Sequence, residues 1–154
     1  MKLEFAEALG NTFLERITPY CSKAVIAGSV RRRKPLVNDV DIVMIVADPW
    51  GMQAELKKLG TKVKGQKLAR VQYRGTQLDL YFATEETFEM LLLIRTGSME
   101  HNIRLASLAK QKGWRLAASG DGLFDADGTR VAGDTDRSVF QALGIPYLEP
   151  WERG

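Results

Sequence analysis

The 154-residue chain contains one cysteine and one histidine. Cys21 alone excludes an intramolecular disulfide and a cysteine-rich zinc site; it reads as a structural, buried thiol. A single histidine cannot build a histidine-based metal centre, so His101 reads as a polar surface residue near nucleic acid. No apolar run reaches the ~18 residues of a membrane span. Met1-Lys2-Leu3-Glu4 lacks the apolar core of a signal peptide. No membrane partner is expected, and the expected location is cytoplasmic, with no targeting signal. Repeats and low-complexity tracts are absent. The 45% hydrophobic and 27% charged content suits a globular chain. Its length suits one compact domain, or two lobes sharing a core.

The net charge is only +3, but its distribution is uneven. Arg31, Arg32, Arg33 and Lys34 form one basic cluster. Lys57, Lys58, Lys62, Lys64, Lys67, Arg70 and Arg74 form a second, and Arg95, Arg104, Lys110, Lys112 and Arg115 a third. Acids gather in the N-terminal segment and between Asp121 and Asp136. One-sided basicity is the footprint of phosphate-backbone binding, although a solvated basic surface has the same composition.

Between the first basic cluster and an apolar run stands the densest chemistry. Residues 28–41 read Gly-Ser-Val-Arg-Arg-Arg-Lys-Pro-Leu-Val-Asn-Asp-Val-Asp, and Ile42 to Val46 follow. In a strand, i and i+2 point the same way, so Asp39 and Asp41 can aim two carboxylates at one point. Such a pair repels itself and favours a cation between its members. Mg²⁺ is held by a few carboxylates plus substrate phosphates, and two such ions can clamp both ends of a phosphoryl displacement. An Asp-x-Asp pair alone is common at strand ends. The prefix adds a phosphate seat: Val25-Ile26-Ala27 reads as a buried strand, Gly28 allows a close turn, and Ser29 can cap a short helix carrying the arginines.

A third acid follows in Leu78-Asp79-Leu80-Tyr81-Phe82. Its alternation places Leu78, Leu80 and Phe82 on one face and Asp79 and Tyr81 on the other. Pairing beside the Asp39/Asp41 strand would bring three aspartates together, with Asp79 as a general base, a metal ligand, or both.

The predicted order is helix 3–18, strand 23–28, helix 29–33, strand 39–46, helix 50–59, strands 61–73 and 76–82, helices 84–94 and 98–112, hairpins over 114–132, and helix 135–143. This is an α+β pattern. Leu3, Phe5, Ala6, Leu9, Phe13, Leu14 and Ile17 fall at near-helical spacing, which predicts an amphipathic packing helix stopped near Pro19. Asp125-Ala126-Asp127-Gly128 resembles half a calcium loop, but a hairpin turn fits its spacing better.

From about residue 24 onward the chain resembles the family X DNA polymerases, the DNA polymerase beta group. The segments carrying the likeness are Gly28-Ser29-Val30-Arg31-Arg32 to Asp41, Thr96-Gly97-Ser98, Lys112-Gly113-Trp114, Gly122-Leu123-Phe124, and Phe140 to Tyr147 with Pro150 and Arg153. The resemblance implies a nucleotidyltransferase palm over 1–94, with a mixed β-sheet flanked by helices, and a small α/β thumb over 95–154. It leaves no room here for the lyase domain or the helix-hairpin-helix fingers. It implies that Asp39 and Asp41 bind two Mg²⁺ ions, for which Mn²⁺ can substitute. Asp79 binds the catalytic one and helps deprotonate the primer 3′-hydroxyl. Gly28, Ser29, Arg32 and Asn38 line the triphosphate site, Gly97 and Ser98 the sugar pocket, and Asn102 the base edge. Arg70, Arg74 and Arg104 are the candidates for DNA contact.

Four departures stand out. Ile94-Arg95 replaces the aromatic pair that reads the sugar. Gln77 stands in place of an arginine two positions before Asp79, for which Arg70 or Arg74 is a substitute. Asn38 replaces a glycine, as in the compact viral members, and Ala106 replaces a template-side arginine. The function expected is that of a minimal DNA-directed DNA polymerase, a monomer taking dNTP and primed or gapped DNA for short gap-filling in repair. The alternatives are a template-independent nucleotidyltransferase and a non-catalytic DNA-binding module.

Overall fold

The computed structural model describes residues 1–61 and 63–154, without the side chains of 63 and 64. Lys62 of the second basic cluster lies outside the described residues. The chain opens with α1 (Leu3–Ile17), followed by β1 (Cys21–Ile26), α2 (Gly28–Arg31), β2 (Val40–Val46) and α3 (Pro49–Lys58). Then come β3 (Val63–Lys64), β4 (Leu68–Tyr73), β5 (Thr76–Phe82), α4 (Phe88–Thr96) and α5 (Met99–Gln111). Short strands β6 (Arg115–Leu116), β7 (Leu123–Phe124) and β8 (Arg130–Ala132) precede α6 (Asp136–Leu143).

Two sheets result. The larger has the order β1-β2-β5-β4-β3, and the smaller has β6-β7-β8. In the larger sheet β2 and β5 run parallel, while β1/β2, β4/β5 and β3/β4 are antiparallel. This is the mixed α+β architecture expected.

Alternation sorts the larger sheet into two faces. Ile42, Met44, Leu78 and Leu80 bury against Leu9, Phe13 and Ile17 of α1 and Met52 and Leu56 of α3. Val43 and Ile45, on the other face, bury against Phe88, Leu91 and Leu92 of α4. The remaining apolar face of α4, Met90 and Leu93, enters a second core with Leu105, Ala109, Leu123, Val139 and Phe140. A helix apolar on all sides is one buried between two layers, and α4 therefore joins both sheets into one body.

Several elements depart from the predicted bounds. The expected strand 61–73 is divided, because the chain turns at Gly65, whose N–H donates to the Leu68 carbonyl. Helix α4 starts four residues late: the Thr84 N–H bonds to the Thr87 hydroxyl at 2.9 Å, forming a separate turn. Ser29 does not cap α2; Ala27 holds that position, and no side chain caps the helix. Phe5 is 56% exposed and stands off the buried stripe of α1. The segment 125–128 is the β7–β8 turn, with Asp125 Oδ1 accepting from the N–H groups of Asp127 and Thr129.

Candidate active site

Parallel pairing sets Asp41 directly beside Asp79, with Val40 beside Leu78 and Ile42 beside Leu80. The apolar partners point into the α1 core, so both carboxylates leave on the opposite face. Asp39 lies just before β2, two residues from Asp41. The Ala27 N–H donates to the Asp41 carbonyl at 2.7 Å and brings the start of α2 onto this face. Gly28, at φ +59, lies against the Asp41 side chain: a Cβ there would stand 2.1 Å from Oδ2. No other residue type fits that approach.

Burial is the first cause that pushes the Asp41 carboxyl up, to about 7, and repulsion from Asp39 and Asp79 adds to it. Arg95 and Arg32 offset part of this. Asp39 is shifted up in the same way, by burial first and then by Asp79. Desolvated, mutually repelling carboxylates are the donor set of a hard divalent cation, so the residues fit the Mg²⁺ that the family likeness implies. Among the described residues, however, no three Asp, Glu, His or Cys side chains are drawn together as ligands. Asp79 is instead held on the other side: Arg70 Nε donates to its Oδ1 at 2.8 Å, and Gln77 Nε2 lies 3.3 and 3.4 Å from its two oxygens.

Arg31 and Arg32 of the prefix face the end of α4. Arg31 Nη1 donates to the Thr96 hydroxyl at 2.8 Å, and Arg32 Nη1 to the Thr96 carbonyl at 2.6 Å. Arg32 Nε is buried without a partner among the described residues. Gly97, at φ +68, has Arg32 Nη1 3.2 Å from where a Cβ would stand. Ser98 caps α5, accepting from the His101 N–H, and its hydroxyl donates to the Arg153 carbonyl at 2.8 Å. Asn102 Nδ2 donates to the Ile94 carbonyl at 2.8 Å. Residues 28–32 and 96–102 thus form adjoining walls.

Other predicted positions lie apart. Asn38 and Arg104 are exposed. Arg74 sits in the β4–β5 turn with φ 50 and covers the Tyr73 ring, well along the strands from Asp79. Arg95 stacks over Tyr81 at 4.2 Å, and burial first, then Asp41, raises the Tyr81 hydroxyl to about 12. His101 is not a surface residue: it is 6% exposed, stacked on Phe140, and both ring nitrogens lack partners among the described residues. It falls on the buried stripe of α5 with Leu105 and Ala109, at i+4 and i+8. Cys21 is half-buried, and burial raises its thiol to about 11.

Two arrangements escaped the sequence reading. The grip of Gln77 on Asp79 was readable in principle from i, i+2 spacing in a strand. The buried Arg153 bonds Asp136 and the Tyr147 hydroxyl at 3.0 and 3.2 Å. Nothing local in the sequence announces that pair.

Known proteins resemble this chain in sequence and in fold. Residues 91–154 match the family model described as DNA polymerase beta thumb. The DNA polymerase/3′-5′ exonuclease PolX of Bacillus subtilis is 27% identical over 132 residues, covering 80% of this chain but 23% of the relative. The chain thus spans about a quarter of that protein's length. A repair DNA polymerase X of African swine fever virus is 28% identical over 145 residues, covering 86% of this chain and 82% of the viral protein. The Leishmania infantum polymerase beta, solved as a ternary gap complex, shares the fold with a TM-score of 0.85 at 20% identity. It covers 99% of this chain and 70% of that one. The thumb match and the viral and bacterial relatives point the same way, and the chain resembles the family X DNA polymerases, a compact viral member among them.

Proposed function

We propose that this chain is a minimal DNA-directed DNA polymerase that adds dNTPs to a primer 3′-hydroxyl and fills short gaps in repair. The observation that carries this reading is the register of Asp41 beside Asp79, against the Gly28 turn and with Asp39 two residues away. Residues 1–94 act as palm and 95–154 as thumb, with α4 packed into both cores. Asp39, Asp41 and Asp79 are the residues that would hold two Mg²⁺ ions, or Mn²⁺ in their place. Those ions would supply charge neutralisation on the triphosphate and acidify the primer hydroxyl.

The residues of the chain do the rest by positioning and electrostatics. Gly28 and Ser29 present backbone N–H groups and a hydroxyl to the triphosphate, and Arg32 adds a guanidinium. Asp79 accepts the proton of the primer 3′-hydroxyl. The 3′-oxygen forms its bond to the α-phosphorus as the bond from that phosphorus to the bridging oxygen breaks, and pyrophosphate leaves. Gly97 and Ser98 shape the sugar pocket, Asn102 faces the base edge, and Arg104 and Arg74 lie toward DNA phosphates.

Primer extension on gapped, primed and untemplated DNA tests the proposal. Templated extension is expected, weakening with salt as phosphate contacts are screened, and Asp79→Ala should abolish it. Full activity in that variant overturns the assignment. A second reading, template-independent transfer, is favoured by one observation: at the sugar gate an arginine, Arg95, lies over Tyr81 where the family has an aromatic pair. Equal incorporation of all four nucleotides opposite every template base would support it; parallel reactions with rNTPs read the sugar preference.

A further inference from the structure

Asp79 is 5% exposed, and its carboxylate meets the guanidinium of a neighbouring strand. Arg70 and Asp79 are cross-strand partners in β4 and β5, a placement that brings side chains on one face together. Arg70 spends only Nε on Asp79. Its Nη1 and Nη2 bond nothing among the described residues, and its side chain is 39% exposed. The same face continues through the next partners, Leu68 and Tyr81, into a cleft of about 700 Å³ that Lys67 and Arg95 also line. Glu86 and Asp121 line that cleft too, so among the described residues the free cation on this face is Arg70 itself: its buried end touches the proposed base, and its outer end reaches solvent.

Resting on the polymerase reading, we propose that Arg70 is the positioning residue of this site. Its Nε–H aims Asp79, and its outer N–H groups take a backbone phosphate of the primer strand. A guanidinium suits this double duty because it is a rigid fork of donors: one edge fixes a carboxylate oxygen while the other receives a phosphate. Seating the primer phosphate then locks the side chain that orients Asp79 toward the 3′-hydroxyl of the same strand. Gln77 supports the arrangement from the longer distances of 3.3 and 3.4 Å. Arg74 cannot substitute, since it lies in the β4–β5 turn over Tyr73.

Three variants separate the two contacts: Arg70→Lys, Arg70→Ala, and Arg70→Ala combined with Gln77→Arg. Primer affinity is read by fluorescence anisotropy and the chemical step by single-turnover extension, with circular dichroism and thermal melting as the folding control. Lysine keeps the charge but not the fork. Arg70→Lys should leave primer Kd within about 3-fold yet slow the step roughly 10- to 100-fold, the scale of a misplaced reacting group. Arg70→Ala should lose both affinity and rate, and Gln77→Arg should recover rate in that background by approaching Asp79 along its own strand. A wild-type rate in Arg70→Lys, or no recovery with Gln77→Arg, overturns the positioning role. An unchanged primer Kd in Arg70→Ala overturns the phosphate contact. A wild-type protein that binds primer and extends none of it defeats the polymerase reading instead, while the affinities still decide the phosphate contact.

Discussion

Asp41 and Asp79 face each other across the only parallel pairing among the named strands of the larger sheet, so two carboxylates leave one face side by side. Burial and mutual repulsion make this pair a cost to the metal-free fold. Asp41→Asn should therefore abolish extension while raising stability by about 0.5–2 kcal/mol, the usual gain on relieving a destabilised site. Urea titration in chelator checks the sign. A less stable Asp41→Asn protein would show that the repulsion is already relieved.

Stability should also carry two opposed titrations. Asp41 has a folded pKa raised from 3.8 to about 7. Its favourable contribution is complete below 3.8 and is lost as pH rises through 7. His101 has a folded pKa lowered from 6.5 to about 4 by burial first, then by Arg153 and Arg104. The folded state binds fewer protons there, so stability from this residue is lost as pH falls from 6.5 toward 4. In metal-free protein Asp41→Asn should steepen the loss on acidification, and His101→Leu should steepen the loss on going to pH 8. Melting temperatures across that range read both slopes.

Gly28→Ala should fail in a specific way. The Cβ would meet Asp41 Oδ2 at 2.1 Å, in a backbone at φ +59. The carboxylate must move, so activity should fall by about 10²-fold or more, and stability by roughly 1–3 kcal/mol. Gly75→Ala, also at positive φ (+81) but with nothing within 4 Å of its Cβ, is the control: it should lose stability and keep activity.

Arg153→Ala should be the costliest of these changes. The residue is 2% exposed; it bonds Asp136, Tyr147 and the Leu148 carbonyl and stacks on Phe140 and Tyr147. Removing one partner of a buried pair costs about 3–5 kcal/mol. The Ser98 hydroxyl bonds the Arg153 backbone carbonyl, which alanine keeps but no longer anchors through a buried side chain, so the loss should extend to nucleotide affinity. Chemical denaturation and nucleotide titration measure the two effects.

Much of the site lay open in local pattern. Alternation in 78–82 separated Asp79 and Tyr81 from Leu78, Leu80 and Phe82, and β5 keeps that division. The Gly28 turn and the two-residue spacing of Asp39 and Asp41 rest on neighbouring residues alone, so a sequence window holds all the information needed. His101 failed for the opposite reason. Its surroundings are Phe140 and Arg153, far along the chain, and no window around residue 101 contains them.

The amino-acid order by itself determined which residues share a strand face, where the chain turns and which family the motifs resemble, because these depend on side-chain periodicity and glycine freedom over a few residues. Only the tertiary structure decided that Asp79 rests on Arg70, that Arg32 spends a donor on Thr96, and that the Ser98 hydroxyl bonds the Arg153 carbonyl. Those contacts join residues brought together by strand register and helix packing, which sequence separation alone does not reveal.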